Sequence, residues 1–189
     1  EDYNPASGTL TFAPGQVQKF ITVQSAHDLL DEEDEYFFIR LSNPVNAQIQ
    51  DQVGRGTIED DDQPPEVSVS DVTVQEGLVA TFTITLSAPT DRSVTVNYQT
   101  FDQTAVHNWD YAGAIGSRIF RPGEVQKRVG IPTYDDDLDE STETFMLKVL
   151  SADYATLADP EGIATILDND VGIFINDVSV TEGDSGSTP

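Results

Sequence analysis

The sequence predicts an all-β protein made of tandem, immunoglobulin-like antiparallel β-sandwiches. Three observations carry the prediction: an internal repeat longer than 100 residues, short runs of alternating apolar and polar residues divided by turn formers, and no long capped segment with a 3.6-residue period.

Set against itself, the chain repeats with a period near 107. Asp2-Tyr3 recurs as Asp110-Tyr111, Pro14-Gly15 as Pro122-Gly123, Val17-Gln18-Lys19 as Val125-Gln126-Lys127 and Asp31-Glu32 as Asp139-Glu140, all offset by 108. Glu35-Tyr36-Phe37 and Asp60-Asp61-Asp62 return as Glu143-Thr144-Phe145 and Asp168-Asn169-Asp170 at the same offset. A second register, offset by 106, brings Val67 to Gly77 back as Ile173 to Gly183. This period is too long for a solenoid and fits an array of independently folded units. The expected organisation is the later part of one repeat in 1–62, a short stiff linker in 63–65, a whole repeat in 66–170 and the opening of a third in 171–189.

Within the whole repeat, Val67 to Gly77 holds the first strand region. Val79 to Leu86 and Val94 to Phe101 alternate and are rich in β-branched and aromatic residues, with Ala88-Pro89-Thr90-Asp91 as the turn between them. Further strands are expected at 117–120, 125–133, 143–150 and 162–167, and Arg121-Pro122-Gly123-Glu124 is a turn. Residues 1–62 hold counterparts of only the last four strands, so sheet edges would be left unpaired. The stretch therefore reads as a window from a longer array; the alternative is that another copy donates the missing strands.

Nine Lys plus Arg stand against 34 Asp plus Glu, for a formal charge of −25. Such a chain repels phosphate backbones and anionic lipid, which excludes nucleic acid as a partner. No apolar run approaches bilayer-spanning length and the first residues lack a signal-peptide pattern, so direct membrane insertion is not expected and the stretch should be soluble. The absence of cysteine removes disulfides, thiolate zinc sites, iron-sulfur clusters and thiol nucleophiles. The acids are pooled: six of the nine residues from Asp135 to Glu143 are acidic, within a connection between two strands. Carboxylates about 5 Å apart repel by roughly 3 kcal/mol at an effective dielectric near 20, so a folded cluster needs separation, protons or a cation. Ca²⁺, which takes six to eight oxygens, is the natural cation, and a solvated acidic loop satisfies the same composition. An EF-hand is excluded, because counting from Asp135 the sixth residue is Glu140 and the twelfth Met146.

Val74-Gln75-Glu76-Gly77, Thr104-Ala105 followed by Asp110-Tyr111, Phe120 to Glu124, Asp135 to Phe145 and Ala164 to Asp170 together resemble the Calx-beta domain. The resemblance covers nearly all of 66–170 and recurs in part in 1–62 and 171–189. It implies calcium ligands gathered at one end of the sandwich, beside the following domain. Carried onto matching positions, these are Glu76, Asp110, Asp135, Asp136, the carbonyl of Leu138, Glu140, Glu143, Asp168 and Asp170. The first-repeat set is Asp2, Asp28, Glu32, Glu35, Asp60, Asp61 and Asp62. Asn169 stands where members often have Asp, and His27 occupies the position of Asp135.

The functional expectation is a non-enzymatic, calcium-binding spacer or adhesion element of a long extracellular protein, stiffened by Ca²⁺ at its interdomain ends, with neighbouring repeats as partners. The alternatives are a calcium-sensing regulatory domain of a membrane protein and a subunit of a strand-exchanged polymer. Gly183-Asp184-Ser185-Gly186 looks like a serine-protease nucleophile turn, but it repeats the position of Glu76-Gly77 and has no matching histidine context. His27 and His107 sit at non-equivalent repeat positions and read as surface loop residues. Trp109 reads as a core or rim-packing aromatic, and Arg118, Arg121, Lys127 and Arg128 as a solvated strand face.

Overall fold

A computed structural model describes residues 2–181. Thirteen strands run in order: β1 (Tyr3–Asn4), β2 (Gln24–Ser25), β3 (Glu35–Arg40), β4 (Val53–Ile58), β5 (Glu66–Val69), β6 (Val72–Gln75), β7 (Val79–Leu86), β8 (Val94–Asp102), β9 (Ile115–Phe120), β10 (Gln126–Pro132), β11 (Glu143–Ala152), β12 (Thr156–Asp159) and β13 (Glu161–Leu167). No helix occurs among the described residues. The fold is all-β, as the alternation predicts.

From β5 onward the strands form two sheets, one in the order β10-β7-β5-β12 and one in the order β6-β13-β11-β8-β9. The two sheets face each other across a core to which β5, β7 and β10 contribute Val67, Val69, Phe82, Ile84, Val129 and Ile131, and β8, β11 and β13 contribute Val96, Phe145, Leu147, Val149 and Ala164. Phe82 and Phe145 meet edge to face at 5.9 Å, and Tyr111 stacks flat on Phe145 at 4.0 Å. Burying each such aromatic stabilises the unit by roughly 1.5–3 kcal/mol relative to leaving it exposed.

The first strand region departs from expectation by dividing between sheets. β5 pairs antiparallel with β7 and parallel with β12, while β6 crosses over to pair parallel with β13. The crossing is held by side chains at the break. Ser70 Oγ accepts the Thr83 amide at 3.0 Å, and Asp71 Oδ1 accepts the Ile163 amide at 2.7 Å. The sandwich is thus mixed at two edges. β12 has no sequence forecast, because all four of its residues are exposed and it carries no apolar alternation.

Residues 2–62 form two two-stranded sheets, β1-β2 and β3-β4. Of the four expected strands, the last two form as β3 and β4, the second survives only as Gln24–Ser25, and residues 9–12 form none. The reason is hydrogen bonding. β9 and β10 pair only with β8 and β7, and residues 1–62 contain no counterpart of either. Side chains follow suit: Val129 is 1% exposed, whereas its counterpart Ile21 is 40% exposed. Pro65 is buried, and its carbonyl accepts the Thr156 amide at 2.9 Å, so this end of the linker packs into the second sandwich.

Candidate metal centre

The site gathers where four elements end together: β6, the loop 103–114, the acidic loop between β10 and β11, and the exit of β13. Glu76 follows β6 and is 8% exposed; its amide donates to the Leu167 carbonyl at 3.0 Å, which ties the entry strand to the exit strand. Gly77 must be glycine for two reasons. Its φ is +76°, and a Cβ there would lie 2.9 Å from Asp135 Cβ. Asp110 is aimed by its neighbour: Tyr111 is 1% exposed, stacks on Phe145 and donates its hydroxyl to Asp102 Oδ1 at 2.6 Å. Asp102 also accepts the amide and ring Nδ1 of His107 at 2.9 and 2.8 Å. These donors, Tyr111 foremost, hold the Asp102 carboxyl below its usual range, while burial and Asp102 push the Tyr111 phenol upward. The recurring Asp-Tyr pair is therefore a carboxylate of the site followed by the anchor that aims it.

Two carboxylate triads result. One oxygen from each of Glu76, Asp168 and Asp170 lies within 4.8 Å of the others, and the same holds for Asp110, Glu140 and Glu143. A single depression is lined by five of these six carboxylates, Asp170 excepted, and by Asp136, Trp109, Tyr134 and Ser141. Each triad has the geometry to hold a metal ion. The donor set is oxygen alone, as a hard cation requires, and Asp170 Oδ2 is buried with no hydrogen-bond partner among the described residues. Burial raises the Glu143 carboxyl to about 7, helped by the charges of Asp110 and Glu140. Glu76, Glu140 and Asp170 are raised in the same direction, each by burial first and then by neighbouring carboxylates.

Six of the nine expected positions thus line the depression, and Asp170 completes the first triad beside it. Asp135 stands at its edge, where its Oδ1 accepts the Asn169 side-chain amide at 3.0 Å. The same amide donates to Glu76 Oε1 at 3.1 Å, so Asn169 bridges two carboxylates that would otherwise repel. Leu138 is exposed, its amide donates to Asp136 Oδ1 at 2.7 Å, and it does not line the depression. Glu140 and Asp168 are tied by the Glu140 amide, 3.1 Å from Asp168 Oδ2. Trp109, 79% exposed, is a rim residue and takes no part in the core. His107 is a surface loop residue, bonded to Asp102. Gly183 to Gly186 lie outside the described residues.

In residues 2–62, Asp2, Asp28, Glu32, Glu35, Asp60, Asp61 and Asp62 all line one depression, joined by Glu33, Glu59 and His27. Glu35 is raised by its hydrogen bond and charge contact with Asp2, and Glu32 by burial, then Asp28 and Asp2. The residue that sequence reasoning misses is Asp31. It is 5% exposed at the head of a run of half-buried and exposed acids, and the only signal for it is its recurrence as Asp139.

The Calx-beta domain family model matches residues 1–62 and 59–172, and the chain belongs to the Calx-beta family. Among curated proteins it is 28% identical over 196 residues to adhesion G-protein coupled receptor V1 of Danio rerio, a match covering 99% of this chain and 3% of the receptor. It is also 28% identical over 172 residues to sodium/calcium exchanger 2 of Homo sapiens, covering 78% of this chain and 18% of the exchanger. The chain therefore spans a small part of either relative. Of solved structures, the apo-form Calx CBD1 domain superposes with a TM-score of 0.54 at 23% identity, covering 57% of this chain and all of that one. The calcium binding domain CBD12 of CALX1.1 superposes with a TM-score of 0.50 at 29% identity, covering 52% of this chain and 42% of that one.

Proposed function

We propose that this chain is a non-enzymatic, calcium-binding stretch of tandem Calx-beta repeats that serves as a spacer in a long extracellular protein. In this reading residues 1–62 end one repeat, 63–65 link it to a whole repeat in 66–170, and 171–189 open a third. The observation that carries it is the pair of carboxylate triads meeting at the exit of β13. Glu76, Asp168 and Asp170 would hold one ion, and Asp110, Glu140 and Glu143 a second, with Asp136 available to both. A bound divalent cation supplies charge neutralisation at a place where the carboxylates otherwise need protons. Because Asp168 and Asp170 are the last residues of the unit, fixing them to the acidic loop fixes the direction in which Val171-Gly172 leaves. The extracellular assignment draws on the adhesion receptor match, which extends over nearly the whole chain.

Calorimetric titration of the whole chain with CaCl₂ tests this, paired with melting in chelator and in millimolar calcium. Extracellular modules bind at about 10⁻⁴ to 10⁻³ M, and calcium at ten times Kd stabilises by about 1.4 kcal/mol. Glu140→Gln and Asp170→Asn are expected to remove the heat and the melting shift of the second unit. Absence of heat in the unmodified chain would sink the proposal. Micromolar affinity would instead favour a calcium-sensing regulatory domain, the class suggested by the exchanger match.

Val17 and Phe20 are 93% and 82% exposed, and Ile173, Phe174 and Ile175 are each at least 84% exposed. Association of copies through these surfaces would cover them.

A further inference from the structure

We infer that the first segment is locked to the second sandwich by a polar latch that needs no cation, in which Asp31 is the pin and the turn between β7 and β8 is the socket. The latch uses none of the carboxylates of the calcium reading and touches that set only at the Glu32 backbone carbonyl. Thr90, 2% exposed, places its hydroxyl 2.8 Å from the Asp31 carbonyl oxygen and 2.9 Å from Asp31 Oδ2, where it donates. The Asp91 amide donates to the same carbonyl at 3.2 Å. Arg92 closes the socket: its Nε lies 3.6 Å from Asp31 Oδ2, its Nη2 donates to the Glu32 carbonyl, and its guanidinium lies 5.1 Å from the centre of the Tyr154 ring.

A carboxylate taken out of water costs several kcal/mol unless hydroxyl, amide or guanidinium donors replace the lost hydration. The Asp31 carboxylate accepts the Thr90 hydroxyl and has the Arg92 guanidinium beside it as an ion pair at 3.6 Å, while the Asp91 amide satisfies the Asp31 backbone carbonyl. Each donor is in place without an ion, so the angle between the two units is set before any cation binds. The same arithmetic makes the latch selective. A neighbour lacking the hydroxyl or the guanidinium would leave a buried charge uncompensated, which is discrimination by penalty. Asp139 stands at the equivalent position of the second unit and is exposed. The partner chemistry that fits it is another unit of this kind whose turn carries a hydroxyl and, two residues on, an arginine, as Thr90 and Arg92 do.

The test uses the whole chain, which has no native cysteine, with spin labels at cysteines replacing the exposed Gln18 and Gln126. Distance distributions are measured in chelator for the unmodified background, Asp31→Ala and Thr90→Val. Hydrogen exchange of the peptide containing Asp91 is read alongside, with the β11 peptide containing Phe145 as the check that the sandwich remains folded. The expected result is a narrow distribution in chelator that broadens in both variants, with exchange at Asp91 about tenfold faster, the scale of one lost charge-assisted hydrogen bond, and protection at Phe145 unchanged. A background distribution that is broad in chelator and narrows only with CaCl₂ overturns the latch while leaving the calcium proposal intact. Narrow distributions in both variants also overturn it.

Discussion

At Glu143 a carboxyl that is ordinarily half protonated near pH 4.5 stays protonated up to about 7, because burial and the charges of Asp110 and Glu140 disfavour its ionised form. A folded-state value above the unfolded one means stability that is present below pH 4.5 and lost as pH rises through 7. In chelator, the chain is therefore expected to melt at lower temperature at pH 7.5 than at pH 5, by on the order of 1 kcal/mol once solvent screening is allowed for. Glu143→Gln should flatten that dependence, and a scan of melting temperature against pH for both proteins reads it directly. Asn169 makes the complementary case. Its amide joins Glu76 to Asp135, doing with two N–H groups part of what a cation does. Asn169→Asp should lower the melting temperature in chelator and enlarge the rise on adding calcium; equal melting in chelator would show the bridge to be idle. The carboxylates themselves were legible, since they are pooled and most recur at the 108-residue offset. Their grouping into two triads was not, because which oxygens converge depends on where Tyr111 anchors the loop and where β13 ends. Asp31 was hidden for the same reason: its socket lies 59 residues away.

Strands legible from the sequence are those with one face on the core. β7 and β8 alternate cleanly because Phe82, Ile84 and Leu86 in one, and Val94, Val96 and Tyr98 in the other, point inward. β12 and the division of β5 from β6 were illegible, since backbone pairing and the Ser70 and Asp71 side chains create them without an apolar pattern. β13 shows how tightly the layers are fitted. A Cβ on Gly162 would lie 2.5 Å from the Ser70 carbonyl and 2.7 Å from Val69 Cγ1, both at the crossing between sheets. Gly162→Ala is expected to destabilise the second unit by about 1–3 kcal/mol, the usual scale of overpacking, measured by urea denaturation. At the far edge, Arg118 Nε donates to the Arg128 carbonyl at 3.2 Å, stitching β9 to β10 across the open side of the sandwich. The basic residues there are thus partly engaged in closing an edge.

Taken whole, the molecule opposes a charge of −25 to the exposed apolar surface of its first segment. Like-charged copies repel over about 30 Å at 0.01 M salt and about 3 Å at 1 M. Sedimentation velocity in chelator is therefore expected to show monomers at low salt and growing association as salt rises; monomers throughout would remove the reading in which copies share strands. The tandem organisation was legible because the repeat is long and its motifs keep their order. How much of the first segment would form strands was not, since each strand depends on neighbours for pairing. The parallel pairing of β6 with β13 has a mechanical meaning. Tension carried along such a chain enters the second unit through β5 into β6 and leaves after β13, so β6 and β13 are dragged past each other lengthwise. Their hydrogen bonds from Ala164↔Val72 to Leu167↔Gln75 share the load together and cannot be opened one at a time. Under pulling, the unit should yield at high force in a single step, resisting as a bolt does in shear.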